Sequence, residues 1–281
     1  MSTPTIQTAA GREGWEAIVA DPATAVISSD FDGVLSPLVE DPARARPVEG
    51  ALDALARLAR SVKQVAIVTG RPALVATELT GVTGHPGLGR LVVLGHYGLE
   101  RWEAATGTVT SDPVPAGIAA ARERLPGLLQ EVGLPDAFVE DKESSLAVHT
   151  RRMADPVGAL DRLRAPLTEL AESIDLRLEP GNLVLELRPP GIDKGVALRR
   201  LIESTGAQSI LYAGDDLGDL AAFRAVEVHR KAGLRAVLLA TRSSGATELI
   251  EAADIVVDDP TGVVTVLTAL SDAIAARSTS A

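Results

Sequence analysis

Residues 25–35 read Ala-Val-Ile-Ser-Ser-Asp-Phe-Asp-Gly-Val-Leu. The short apolar run at 25–29 predicts a buried strand that ends directly before Asp30. In an extended backbone Asp30 and Asp32 lie on the same side of the chain. Two carboxylates that leave a buried strand together are costly unless a positive group offsets their charge. Mg²⁺ takes oxygen ligands of this kind, often together with a substrate phosphate.

Composition limits the classes of protein that fit this chain. It has 281 residues and a net charge of −11, which argues against a nucleic-acid-binding protein because such a protein needs a basic surface. It has no cysteine, which excludes disulfides, thiolate catalysis and cysteine zinc sites. No apolar run is long enough for a transmembrane helix, and residues 1–14 lack the apolar core of a signal peptide. We therefore expect a cytoplasmic protein with no membrane partner, and a monomer is favoured.

Strand-like and helix-like segments alternate in the first part of the chain. Strands are expected at 25–29, 64–68 and 91–94, and helices at 48–61 and 72–79. This order predicts an α/β fold with a parallel sheet and helical crossovers. Sites on such sheets lie at the carboxyl ends of the strands, where Asp30 and Thr69 stand.

The pattern changes between residues 112 and 189. Strands there alternate apolar and polar residues, which is typical of an antiparallel sheet with one solvent-exposed face. Helices are expected at 116–132 and 156–172, and strands at 137–140, 146–149, 175–178 and 183–187. We therefore expect an inserted α+β domain at 112–189 within a core formed by 21–111 and 190–276. In the second part of the core the expected helices are 194–204, 220–225, 246–252 and 262–276, and the expected strands are 209–213, 235–240 and 255–257.

Four motifs stand in order at strand ends or helix starts. They are Asp30-x-Asp32-Gly33, Thr69-Gly70-Arg71, Lys194 and Gly214-Asp215-Asp216-x-x-Asp219. Taken singly, each has a plainer interpretation: a solvated Asp-Gly turn, a strand-to-helix turn, a surface lysine and an ordinary loop. Taken together in this order, they resemble the haloacid-dehalogenase-like phosphatases. The resemblance implies a Rossmann-like core with a parallel sheet and an inserted C2-type α+β cap.

The resemblance also implies a role for each motif residue. Asp30 would be the nucleophile that forms an aspartyl-phosphate, and Asp32 the general acid and base. Lys194 would neutralise charge on Asp30 and the phosphoryl group. The turn residues Thr69, Gly70 and Arg71 would hold the phosphate. Asp215 would bind Mg²⁺ together with Asp30 and the backbone carbonyl of Asp32. Asp216 and Asp219 would orient the groups around the metal.

Further strings narrow the resemblance to the trehalose-6-phosphate phosphatase family. They include Asp-Gly-Val-Leu-Ser-Pro at 32–37, Gly-His-Tyr-Gly-Leu-Glu at 95–100 and Ser-Leu-Ala-Val-His-x-Arg at 145–151. Some positions depart from the family pattern: Val34 replaces a usual Thr, His96 stands one position early, and Gly218 and Leu220 replace Thr and Glu. These departures leave the phosphoryl-transfer residues intact and bear on the identity of the sugar.

By the same resemblance, the cap residues Glu140, Lys142, His149 and Glu186 are candidates to bind sugar hydroxyls; their plainer interpretation is a solvated sheet face. The expected partner is a small-molecule sugar phosphate, and the leading hypothesis is hydrolysis of trehalose 6-phosphate. One alternative is a phosphatase for another glycosyl or pseudo-disaccharide phosphate. A second is a phospho-sugar-binding sensor without turnover, although binding alone does not require an acid/base residue such as Asp32.

Overall fold

A computed structural model describes residues 4–279 of the chain. These residues form two compact units, which we call unit 1 (residues 4–111 and 193–279) and unit 2 (Asp112–Ile192). Unit 2 begins at the first residue of the insertion expected at 112–189 and ends at Ile192.

The strands within residues 4–279 are numbered in chain order. They are β1 (Ala25–Ser29), β2 (Gln64–Val68), β3 (Val92–Gly95), β4 (Glu100–Glu103), β5 (Thr108–Ser111), β6 (Phe138–Asp141), β7 (Leu146–His149), β8 (Arg177–Gly181), β9 (Val184–Arg188), β10 (Ser209–Gly214), β11 (Arg235–Thr241) and β12 (Ile255–Val257).

The α-helices of the same residues are also numbered in chain order. They are α1 (Ala9–Ala20), α2 (Ala51–Ala59), α3 (Ala73–Thr80), α4 (Ala116–Glu131), α5 (Pro156–Ser173), α6 (Lys194–Thr205), α7 (Asp219–Lys231), α8 (Thr247–Ala252) and α9 (Pro260–Ser278). None of these described helices is both long and apolar enough to span a lipid bilayer.

Unit 1 is built on one eight-stranded sheet of order β12-β11-β10-β1-β2-β3-β4-β5. The first six strands in that order are mutually parallel, and β4 and β5 continue the sheet as an antiparallel hairpin. All five residues of β1 are buried, as a central parallel strand with both faces covered requires. Buried side chains of α1, α2, α3 and α9 pack on one face of the sheet, and those of α6, α7 and α8 on the other.

Strand register in unit 1 aligns the ends of the central strands. Ser29 at the end of β1 pairs with Ala213 of β10 on one side and with Ile67 of β2 on the other. The residues that follow these strands therefore leave the sheet at the same edge. This edge holds the candidate site.

Unit 2 contains an antiparallel sheet of order β6-β7-β9-β8 and the helices α4 and α5. One sheet face, with Leu146, Val148, Leu185 and Leu187, packs against apolar side chains of the two helices. The opposite face carries the polar side chains of the alternating pattern.

The α/β class expected from the sequence is confirmed, and several element bounds need correction. The helix expected at 48–61 spans only Ala51–Ala59, while the helix expected at 220–225 extends from Asp219 to Lys231. The strand expected at 175–178 is Arg177–Gly181. The sequence interpretation missed α1, β4 and β5.

Candidate active site

The structure brings together four of the residues singled out by the motifs. Asp30 follows β1, Thr69 follows β2 and Asp215 follows β10, and β1 lies between the other two strands. Lys194 is the first residue of α6 and reaches the same edge of the sheet. All four side chains are buried. Four distant segments of unit 1 therefore supply one site.

Both carboxylate oxygens of Asp30 are hydrogen-bonded. Oδ1 accepts the backbone N–H of Phe31 at 2.6 Å, and Oδ2 accepts a hydrogen bond from Nζ of Lys194, also at 2.6 Å. The backbone N–H of Asp30 donates to the carbonyl of Ala213 at 2.9 Å, which ties the residue to β10. These contacts fix the carboxylate in one orientation.

Lys194 is a buried cation surrounded by acids. Its Nζ donates to Asp30 and, at 2.8 Å, to Oδ1 of Asp219, and it lies 3.7 Å from Oδ1 of Asp216. Burial alone would lower its pKa, but the charges of Asp219 and Asp30 outweigh burial and raise the pKa well above its usual value. Lys194 therefore stays charged at neutral pH.

Asp219 accepts four hydrogen bonds. Oδ1 accepts from Lys194 and from the hydroxyl of Tyr212 at 2.6 Å, while Oδ2 accepts the backbone N–H groups of Asp215 at 3.0 Å and Asp216 at 3.3 Å. One of its oxygens lies within 4.8 Å of oxygens of Asp30 and Asp215. These four donors nevertheless occupy the acceptor positions that a metal ion would need. Asp219 therefore positions Lys194 and the loop after β10.

Asp215 is a buried acid. Within residues 4–279 its carboxylate makes no hydrogen bond or ion pair. Burial, followed by the charges of Asp30 and Asp216, raises the pKa of Asp215 to about 9. Burial likewise raises the pKa of Asp30 to about 8, against the opposing charge of Lys194. Asp30 and Asp215 therefore need a further positive charge before both can be ionised at neutral pH.

Gly33 leaves room for the Asp215 carboxylate. Its φ is +71°, and an added Cβ would lie 2.2 Å from Oδ2 of Asp215. Any other residue would clash with the acid and strain the backbone. The side-chain atoms that could bind a metal ion here are carboxylate oxygens, without the imidazole or thiolate that zinc prefers. The chain's own residues therefore fit a hard divalent cation held by Asp30 and Asp215.

The carboxylate of Asp32 is paired with Arg71 and lies outside that acidic group. Nε of Arg71 donates to Oδ2 at 2.7 Å and Nη2 to Oδ1 at 2.8 Å, and the guanidinium lies 5.7 Å from the ring centroid of Phe31. This two-point contact orients the Asp32 side chain beside the strand end. Arg71 would have to leave or share Asp32 to bind phosphate through its guanidinium. The metal contact expected of Asp32 involves its backbone carbonyl, and it stays a prediction.

Thr69, Gly70 and Arg71 form a tight turn at the end of β2. The backbone N–H of Arg71 donates to Oγ1 of Thr69 at 3.2 Å. Gly70 packs against Tyr97, since an added Cβ would lie 2.7 Å from the ring atom Cζ. Tyr97 itself has a φ of +57°. Phosphate binding by this turn stays a prediction.

Asp216 supports the start of α7. Its Oδ1 accepts the backbone N–H of Asp219 at 3.2 Å, and its side chain is 54% exposed. Burial alone would raise its pKa, but the charge of Lys194 and hydrogen bonds from Asp219 lower it. Asp216 is therefore a charged neighbour of the site.

The four candidate cap residues form two pairs on the polar sheet face of unit 2. Nε2 of His149 lies 2.9 Å from Oε2 of Glu140, and Nζ of Lys142 lies 3.4 Å from Oε1 of Glu186. Ser145 also donates to Oε1 of Glu186, at 2.6 Å. Glu140 and Glu186 stand in one row of the sheet, since each pairs in register with Ala147. These groups can offer acceptors and donors to a polyol.

Four partners of the predicted motifs could not be named from the sequence. The hydroxyl of Tyr212 donates to Asp219 and that of Ser145 to Glu186, and the hydroxyls of Thr241 and Ser243 donate to the backbone carbonyl of Gly33. Ser145 lies inside the family-like string at 145–151, so the sequence did point to its position. The others offered no such signal, because they act through contacts between segments far apart in the chain.

Comparisons with known proteins show which family the chain resembles. The family model described as trehalose-phosphatase matches residues 28–253. The trehalose-phosphate phosphatase of Mycobacterium avium (strain 104) is 37% identical over 205 residues, covering 70% of this chain and 50% of that protein. The chain therefore spans about half the length of this curated relative.

Two solved structures share the fold. The C-terminal domain of the trehalose-6-phosphate phosphatase of Candida albicans has a TM-score of 0.73 at 20% identity, covering 97% of this chain and 99% of that one. A haloacid dehalogenase-like hydrolase from Bacteroides thetaiotaomicron has a TM-score of 0.61 at 17% identity, covering 90% and 99%. At these identities the likeness shows the fold alone, and it confirms the haloacid-dehalogenase-like fold expected from the motifs.

Proposed function

Because the chain belongs to the trehalose-phosphatase family, we propose that it hydrolyses trehalose 6-phosphate to trehalose and phosphate with Mg²⁺ as its cofactor. The convergence of Asp30, Lys194 and Asp215 at one sheet edge carries the proposal. This arrangement offers a nucleophile, a fixed positive charge and an unpaired acid within one buried site.

Asp30 is the proposed nucleophile. Its carboxylate attacks phosphorus, so that a bond from Asp30 to phosphorus forms while the bond from phosphorus to the sugar oxygen breaks. Lys194, 2.6 Å from Asp30, offsets part of the negative charge that the phosphate brings. The products of this step are an aspartyl-phosphate and trehalose.

Asp32 is the proposed proton carrier in both steps. As an acid it donates a proton to the departing sugar oxygen. As a base it takes a proton from the water that attacks phosphorus and breaks the bond to Asp30. Arg71 binds the Asp32 carboxylate in the substrate-free chain. The anionic phosphoryl group competes for that guanidinium, which releases Asp32 to take up its proton.

The turn after β2 is the proposed phosphate-binding element. Thr69 is 1% exposed and its position is fixed by a backbone hydrogen bond to Leu94 at 2.9 Å. We assign its hydroxyl and the backbone N–H of Gly70 to the phosphate oxygens, while the backbone N–H of Arg71 donates to Oγ1 of Thr69 and orients that hydroxyl. Fixed donors of this kind stabilise charge without reorganising during the reaction.

Asp30, Asp215 and the backbone carbonyl of Asp32 are the proposed ligands of the Mg²⁺ ion. The buried Asp215 carboxylate, which has no cationic partner within residues 4–279, and its close approach to Gly33 beside the Asp32 backbone support this assignment. When bound, the ion neutralises charge on the transferred phosphoryl group and fixes its orientation. Asp219 and Asp216 support the ligands without contacting the ion.

The polar sheet face of unit 2 is the proposed sugar-binding surface. This face carries two side-chain pairs, Glu140 with His149 and Lys142 with Glu186. When a sugar binds, each pair can separate and its side chains can hydrogen-bond sugar hydroxyls instead. Fixed polar groups discriminate among hydroxylated substrates far better than apolar walls do. This surface is therefore assigned to selection of the disaccharide.

A phosphate-release panel with purified protein and Mg²⁺ tests the proposal. We expect trehalose 6-phosphate to give a kcat/KM at least about a hundredfold above that of glucose 6-phosphate, because a smaller sugar leaves polar groups unpaired. Asp30→Asn and Asp32→Asn variants serve as inactive references.

The same panel covers the alternative substrates. The contact of Tyr97 with Gly70, beside the proposed phosphate turn, is the observation that favours including other glycosyl and pseudo-disaccharide phosphates. A higher kcat/KM for one of these would reassign the substrate and keep the chemistry. A wild-type protein as inert as the two variants on every phosphate would instead support the sensor hypothesis.

A further inference from the structure

Three hydroxyl groups, on the last residue of β11 and in the loop directly after it, converge on the two segments assigned to the metal. Oγ1 of Thr241 lies 2.8 Å and Oγ of Ser243 lies 2.7 Å from the carbonyl oxygen of Gly33, and the two hydroxyls are 2.9 Å apart. The hydroxyl of Ser244 donates to the backbone carbonyl of Asp215. One short loop therefore binds the backbone of both motifs.

We propose that Thr241, Ser243 and Ser244 form a hydroxyl clamp that sets the distance between the Asp32–Gly33 segment and Asp215, and thereby the affinity for the divalent cation. This inference rests on the metal site of the proposed function. The clamp hydroxyls bind backbone carbonyls one residue from, or at, the assigned ligands. They are positioning residues, because they contact neither the phosphate nor the reacting atoms.

The close contact between Gly33 and Asp215 makes their separation consequential. An atom added to Gly33 would lie 2.2 Å from the Asp215 carboxylate, so the two segments are at contact distance. Mg²⁺ requires near-octahedral geometry with oxygens at about 2.0–2.1 Å, which leaves little tolerance for ligand displacement. A restraint on the backbone is therefore needed to keep the ligands close.

The hydrogen bonds of the hydroxyl clamp restrain the backbone at Gly33. Thr241 is fully buried at the end of β11, and within residues 4–279 the two hydroxyls of Thr241 and Ser243 are the hydrogen-bond donors to the Gly33 carbonyl. Removing both hydroxyls would leave the Gly33 carbonyl without its hydrogen-bond donors. Each removal would cost the free energy of about one hydrogen bond. The Gly33 segment could then move away from Asp215.

Calorimetric titration of Mg²⁺ into the metal-free protein, without substrate, tests the clamp. We expect the double variant Thr241→Val with Ser243→Ala to bind Mg²⁺ about tenfold more weakly, because two positioning hydrogen bonds are lost. Thr241→Ser keeps the hydroxyl and should bind within about twofold of wild type. At saturating Mg²⁺ the double variant should recover its kcat, with an unchanged KM for the sugar phosphate.

Thr80→Val is the matched control. Thr80 is also buried, and its hydroxyl also donates to a backbone carbonyl, that of Ala76 at 2.7 Å in α3. It should leave Mg²⁺ affinity unchanged. Ser243→Ala alone, at a half-buried position, carries the test if the double variant does not fold.

The outcomes separate the clamp from the metal site. If the wild type binds Mg²⁺ and the clamp variants bind it equally well, the clamp is wrong and the metal site stands. Equal weakening by Thr80→Val also overturns the clamp, because it would show a general effect of lost stability. A wild type that binds no Mg²⁺ overturns the metal site and the clamp together.

Discussion

The two units contain charged pairs of the same chemical kind in different surroundings. In unit 1, Lys194 is 4% exposed and contacts two acids at 2.6 and 2.8 Å. In unit 2, Lys142 is 23% exposed and lies 3.4 Å from Glu186. The first cluster is desolvated and comes from three distant chain segments, whereas the second lies on a half-exposed sheet face.

This difference fits the division of labour that we propose. Charges fixed in a buried site need no reorganisation when a reaction develops charge, which suits phosphoryl transfer. Half-exposed pairs are weaker and exchange partners at little cost, so their side chains can turn to sugar hydroxyls. Substitutions in unit 1 should therefore abolish chemistry or stability, and those in unit 2 should alter selectivity.

Asp30→Asn should have the largest effect. The amide cannot act as the nucleophile, and kcat should fall at least about ten-thousandfold, as for other covalent nucleophiles. Phosphate release from trehalose 6-phosphate and from a small aryl phosphate measures it. Asp53→Asn, an exposed aspartate on α2, is the control and should be silent. Residual activity above about one per cent of wild type would contradict the assignment of Asp30.

Lys194→Met should impair both activity and folding. The variant leaves Asp30 and Asp219 buried without their cation, which typically costs about 3–5 kcal/mol of unfolding free energy. The loss should be smaller at pH 5 than at pH 8, because the pKa values of Asp30 and Asp219 are raised and the acids can take up protons. Urea unfolding at the two pH values measures it.

The exposed Lys63 provides the control for that substitution. Lys63→Met should change the unfolding free energy by no more than about 0.5 kcal/mol. An equally small effect for Lys194→Met at pH 8 would refute the buried-cation account.

Glu186→Gln should change selectivity. It removes the charge facing Lys142 and Ser145, and kcat/KM for trehalose 6-phosphate should fall about ten- to a hundredfold. Hydrolysis of a small aryl phosphate should stay within about twofold of wild type, since that substrate has no sugar to bind. Glu172→Gln is the control, because Glu172 is exposed on α5, which packs against the opposite face of the sheet. Parallel losses on both substrates would argue against a sugar-binding role.

Asp215→Asn should stabilise the metal-free protein at high pH. Asp215 ionises near its ordinary value of 3.8 in the unfolded chain and near 9 in the folded one, so wild-type stability falls as pH rises through that window. Asparagine does not ionise, and at pH 9 the variant should gain about 1–2 kcal/mol, with no gain below pH 4. Thermal unfolding in a chelator measures it, and a pH-independent difference would contradict the buried-acid assignment.

Much of the candidate site could be predicted from the sequence, because the apolar pattern of a buried strand shows where that strand ends. A buried run followed by a polar residue marks Asp30, Thr69 and Asp215, and parallel order places such ends at one edge. Lys194 could be predicted only from its place in the order of the motifs, because a single lysine has no distinctive sequence pattern. The sequence could not show that Arg71 binds Asp32 or that four donors saturate Asp219, because those contacts depend on side-chain orientation between distant segments.

The missed elements lacked the usual periodic signals. In β4 and β5 only Trp102 is buried, so neither strand shows alternation of apolar and polar residues. In α1 the close-packed positions include Gly11 and Gly14, and an added Cβ at Gly14 would lie 1.9 Å from the carbonyl oxygen of Ala236. Glycine normally weakens a helix, so the residues that let α1 approach the sheet also concealed it.

Trapping the phosphorylated enzyme tests the central claim most directly. The reaction with trehalose 6-phosphate and Mg²⁺ is acid-quenched and reduced with borohydride, which converts an aspartyl-phosphate to homoserine, and the peptide containing residues 25–35 is analysed by mass spectrometry. The account predicts homoserine at position 30, none at position 32, and none without substrate. Homoserine at another aspartate, or rapid turnover with Asp30 unmodified throughout, would contradict it.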